Sequence, residues 1–80
     1  MENENEEFWI LETTTGGSPS ASITYYEQFP SEEEAKKAQS SFKEEEEEKE
    51  EDHPEWWHRS RVFETCEEDL EYWLSRSGQQ

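Results

Sequence analysis

Three stretches rich in aromatic and β-branched residues, two helix-start signatures and a spacing that alternates strand with helix predict a small α+β fold. The predicted architecture is a two-layer sandwich, a three-stranded antiparallel sheet with two helices on one face, in the order ββαβα. Phe8 to Thr14 is the first strand, and Gly16-Gly17-Ser18-Pro19 is the turn after it. Ser22 to Gln28 is its hairpin partner; Ile23 and Tyr25 point to one face, Thr24, Tyr26 and Gln28 to the other.

Phe29-Pro30-Ser31-Glu32-Glu33-Glu34 announces the first helix. Ser31 caps the free amides, Glu34 closes a capping box, and the acids suit the positive helix end. Ala35, Ala38 and Phe42 share one face and pack on the sheet. Glu32 with Lys36 and Glu33 with Lys37 are spaced for ion pairs along the helix. After Phe42 the apolar stripe stops. The acids that follow repel one another and sit at the negative end of the dipole, so fraying is expected there, and Pro54 ends any helix that survives.

Trp56 to Glu64 is the third strand, and a helical crossover lets it lie antiparallel beside the first, in the order 2-1-3. Thr65 starts the second helix with Glu68 completing its capping box; Cys66, Leu70, Trp73 and Leu74 form its buried stripe, and Gly78 marks its end. Residues 1–7 are an acidic flexible N-terminus, residues 8–76 one domain with an acidic helix extension or linker over 44–55, and residues 77–80 a flexible C-terminus.

Hydrophobic residues are only 28% of the chain, which with its charge would favour disorder, but aromatics are 14% and argue for a thin aromatic core. Trp9, Phe42, Phe63 and Trp73 belong to that core. Trp56 and Trp57 are neighbours, so in a strand one indole lies away from the helices, with Tyr26 a companion on that face; such an aromatic is a candidate interface anchor. A loop position or a cover by the N-terminal tail is the equal alternative for the pair.

No catalytic constellation is visible, so an enzyme is not expected. His53, His58 and the single Cys66 do not make a metal set, and the acidic run lacks the pattern of a calcium loop. Cys66 is more simply a core residue than a nucleophile. No phosphate-binding loop is present, and no cofactor is expected. The N-terminus lacks a signal-peptide pattern and no apolar run approaches the ~20 residues of a membrane span, which points to the cytoplasm.

The formal net charge is -16, from 23 Asp and Glu against seven Lys and Arg. Nine acids fall between Glu44 and Glu55, interrupted only by Lys49, His53 and Pro54. This charge opposes DNA, RNA and anionic membranes and attracts basic protein surfaces. Arg59 and Arg61 serve to neutralise neighbouring carboxylates rather than to contact nucleic acid. Acids four apart on a helix recur every ~6 Å, comparable with successive phosphates in a nucleic-acid strand. The expected partner-binding residues are Glu44, Glu45, Glu46, Glu47, Glu48, Glu50, Glu51 and Asp52, a second patch of Glu67, Glu68 and Asp69, and the anchors Trp56 and Trp57.

In length, charge, α+β pattern and lack of catalytic residues the chain resembles small acidic phage-encoded inhibitors that imitate nucleic acid, the anti-restriction and anti-CRISPR proteins. The likeness is one of class; no motif carries it, and no residue role is transferred. It implies an inhibitor that binds the basic nucleic-acid-binding surface of a host defence nuclease or Cas effector subunit, as a monomer or homodimer, in the host bacterial cytoplasm. Two other readings are an adaptor or accessory subunit docking by its aromatic sheet face, and an inhibitor of a transcription protein.

Overall fold

The computed structural model describes residues 7–18 and 21–78 and gives the order β1 (Phe8–Ser18), β2 (Ala21–Phe29), α1 (Glu32–Asp52), β3 (Trp57–Thr65) and α2 (Glu67–Ser75). The expectations for residues 1–6, Pro19 and residues 79–80 lie outside the described residues. Both strand pairings are antiparallel, and the sheet order is β2-β1-β3, the order expected from the sequence. Leu11 stands opposite Glu27 on one side and Val62 on the other; Ile10 stands opposite Gln28 and Phe63. Thr14 and Thr24 join hydroxyls at 2.9 Å across the β1–β2 pair.

Gly16 and Gly17 lie within β1 rather than in the turn, with a register shift between Gly16 and Ser18. They are seats for the two tryptophans. A Cβ at Gly16 would come within 2.8 Å of the Trp57 ring and 2.6 Å of the Ala21 carbonyl, whereas one at Gly17 would stand 3.7 Å from Trp56.

Successive residues of a strand face opposite ways, and this decides where each helix goes. α1 meets the face of Leu11, Val62, Ser60 and His58: Gln39 donates to Ser60 Oγ at 3.0 Å, and Phe42 stands edge-on to His58. α2 meets the other face. Trp73 packs on Tyr26 and Phe63, with ring centroids 5.4 and 5.0 Å apart, and these residues pair with Glu12 and Ile10. The helices therefore lie on opposite faces, not on one, and the sheet is the middle of three layers. The reason is that both faces carry apolar residues at the same level, Leu11 with Val62 and Ile10 with Phe63, and each needs a cover.

Ser31 caps α1 as expected, its hydroxyl accepting from the Glu34 amide at 3.3 Å, and Glu32 pairs with Lys36 at 3.1 Å. α2 starts one residue later than its sequence signature suggests. Cys66 is the N-cap, without a side-chain bond, because Thr65 is held in β3 opposite Phe8. Cys66 is exposed and Leu74 is 38% exposed, so neither belongs to a buried stripe; Trp73 carries the packing.

Past α2 the chain reaches the outer edge of β2. The Gly78 amide, at a φ of 82°, donates to the Thr24 carbonyl at 2.7 Å, and the Tyr26 amide donates to Ser77 Oγ at 2.9 Å. These bonds occupy backbone groups that an edge strand otherwise leaves open. The buried apolar residues are few: Ile10, Leu11 and Ala35 among the described residues. None of the described helices is long and apolar enough to cross a membrane.

Candidate acidic interaction face

The acidic run is helical through Asp52, where the sequence favours fraying. Its inner stripe holds it. Glu46 and Glu50 follow Phe42 at intervals of four and so land on the sheet side of α1. Glu46 is only 4% exposed; its Oε1 accepts from the Trp56 indole Nε1 at 2.6 Å and its Oε2 from Lys49 Nζ at 3.3 Å. The Lys49 ammonium also lies 5.4 Å over the Trp56 ring. Glu50 meets His58 Nε2 at 3.0 Å. Asp52 ends the helix, and the His53 amide donates to the Lys49 carbonyl in front of Pro54.

Two carboxylates are thus spent on fixing the helix, and the rest of the run faces water. Glu44, Glu45, Glu47, Glu48, Glu51 and Asp52 are exposed. Glu44 and Glu48, Glu47 and Glu51, and Glu48 and Asp52 are each one helical turn apart, so the row spans ~12 Å along the axis. Glu46 departs from the expected partner surface because its carboxylate is buried and bonded internally.

Trp56 and Trp57 are both half-buried and do not act as a pair. Trp56 lies under α1 with Glu46 and Lys49; Trp57 lies over Gly16 on the opposite face. The first turn of α2, with Glu67, Glu68 and Asp69 all exposed, is on the far side of the sheet from α1. The structure therefore separates the two acidic patches rather than joining them. Nor is the sheet face opposite α1 left open, since α2 covers Tyr26 and Phe63.

That second face contains its own charge cluster. Arg61 Nε donates to Glu12 Oε1 at 2.6 Å, and the Tyr26 hydroxyl donates to Glu12 Oε2 at 2.9 Å. Burial, with the bond and the charge of Glu12 behind it, holds the Tyr26 phenol above its usual value. No group of three or more His, Cys, Asp or Glu among the described residues is placed to hold a metal ion. Sequence reasoning missed the roles of Lys49 and His58. The signal was the continued four-residue step from Phe42 to Glu46 and Glu50, which marks a helix face turned inward.

Compared with family models, curated proteins and solved structures, the chain matches none.

Proposed function

We propose that this protein is an acidic inhibitor that binds the basic nucleic-acid-binding surface of a bacterial defence nuclease complex, of the anti-CRISPR or anti-restriction type, and blocks access of DNA or RNA. One observation carries the reading. Glu44, Glu45, Glu47, Glu48, Glu51 and Asp52 stand exposed on a helix that is fastened to the sheet through Glu46 and Glu50. Carboxylates in fixed positions present a field that a mobile acidic tail averages away, and a cleft lined with Lys and Arg gains from meeting it. The net charge of -16 adds long-range attraction to such a cleft. Glu67, Glu68 and Asp69 are on the far side and speed the approach without sharing the contact.

The test is capture from a bacterial lysate by the intact protein and by a variant with Glu44, Glu47, Glu48 and Glu51 changed to Gln. The expected result is retention of nucleic-acid-binding proteins at about 50 mM salt, released by excess duplex DNA and lost at about 500 mM, where the field is screened within a few ångströms. The variant should retain little. Retention indifferent to salt, DNA and the four substitutions would overturn the reading.

A further inference from the structure

α1 does not sit centrally over its sheet face. Gln39 bonds to Ser60, and Phe42 and Glu50 both meet His58, so the helix leans toward β3. On its other flank, between α1 and β2, lies a groove of about 400 Å³. Leu11, Ala38 and Phe42 give it an apolar floor, Tyr25 and Glu27 rise from β2, and Glu45 descends from the helix. That volume is within the ~300–1,000 Å³ of sites that enclose a ligand group.

We propose that this groove receives an arginine side chain of the basic partner, an inference that rests on the reading of the acidic helix face and names its anchor. The floor suits the methylene stem of a long cationic side chain. Tyr25 is 50% exposed and offers its ring to a planar cation. Glu27 and Glu45, on the strand and helix walls, accept hydrogen bonds from the two sides of a guanidinium.

Charge complementarity selects this occupant over an apolar peptide. Among the described residues no Lys or Arg lines the groove, and neither Glu27 nor Glu45 has an ion pair. Glu12 and Glu32, by contrast, have Arg61 and Lys36. Tyr25 is also positioned from behind. Its strand neighbours Thr24 and Tyr26 are bonded to Gly78 and Ser77, and a Cβ on Gly78 would stand 3.6 Å from its ring. Arginine fits better than lysine because its flat fork both stacks on an aromatic ring and pairs with carboxylates, while an ammonium stays more strongly hydrated.

The experiment is an amide and aromatic-ring NMR titration of the full chain with acetylated tetra-arginine, in parallel with tetra-lysine and tetra-citrulline, at about 20 mM salt to keep the field unscreened. Tetra-arginine should shift Tyr25, Glu27, Ala38, Phe42 and Glu45 together, more strongly than tetra-lysine, with tetra-citrulline inactive. The double variant Glu27→Gln, Glu45→Gln keeps the shape of the groove and should weaken the affinity read from these shifts by about tenfold or more, the loss expected for charge-assisted hydrogen bonds. Its remaining spectrum should overlay on that of the parent, which establishes that it folds. Shifts confined to Glu44, Glu47, Glu48 and Glu51, with the groove silent, overturn this proposal and leave the acidic-face reading standing. Equal groove shifts from tetra-lysine overturn the assignment to arginine, and no shift anywhere overturns the groove and the acidic face together.

Discussion

At position 46 a carboxylate accepts the Trp56 indole proton at 2.6 Å, while the carboxylates at 45 and 47 face water. Removing Glu46 leaves a half-buried indole N–H without its acceptor. Glu46→Ala should therefore cost about 1–3 kcal/mol in denaturant unfolding, against less than about 0.5 kcal/mol for Glu47→Ala. Equal costs would mean that the Trp56–Glu46 bond does not hold the helix. Tyr26 provides a residue-scale test in pH. Its folded phenol keeps its proton to higher pH than the unfolded one, so the stability it adds is complete below the ordinary tyrosine value of about 10 and is lost as pH rises through the folded value. The stability gap between the parent and Tyr26→Phe should be widest near neutrality and should close on the alkaline side. A gap that does not change with pH would contradict a phenol held protonated by its burial and by Glu12.

Among the elements, α1 combines two opposed tendencies. Ser31 and the first-turn acids favour its start, while at its far end the pairs Glu44–Glu48, Glu47–Glu51 and Glu48–Asp52 repel one turn apart. Packing of Glu46, Lys49 and Glu50 against Trp56 and His58 outweighs that repulsion. Screening should relieve it further, so thermal stability should rise as salt increases from about 20 to about 500 mM; a falling midpoint would mean that the ion pairs of the inner stripe dominate. The strands, their order and the cap of α1 were legible because pleat alternation and capping chemistry are local. The side taken by α2 was misread as that of α1, although the adjacent pairs Ile10-Leu11 and Val62-Phe63 make both sheet faces apolar at one level. The start of α2 was not legible, because Thr65 is a favoured N-cap residue in isolation, and only its pairing with Phe8 takes it into the sheet. Which of Trp56 and Trp57 faces α1 was not legible either, because it depends on where β3 begins and on two glycines that a turn would use equally well.

For the molecule as a whole, the radius of gyration of 14.3 Å exceeds the ~12 Å of a compact chain of this length. The excess comes from an 11-residue strand and a 21-residue helix laid along one direction. Such a shape buries little apolar residue volume and exposes much of α1, which is costly for stability and useful for contact. Its acidic patches lie on different layers, so one partner surface meets the α1 face or the α2 end, not both. The proposed function rests on the rigidity of the acidic half of α1, and amide hydrogen exchange measures that directly. Amides of residues 45–52 should be protected to an extent comparable with those of residues 36–42, and Trp56→Phe should selectively weaken the former. Exchange over 45–52 at unstructured rates, with 36–42 still protected, would show a loose acidic tail instead of an array held in place.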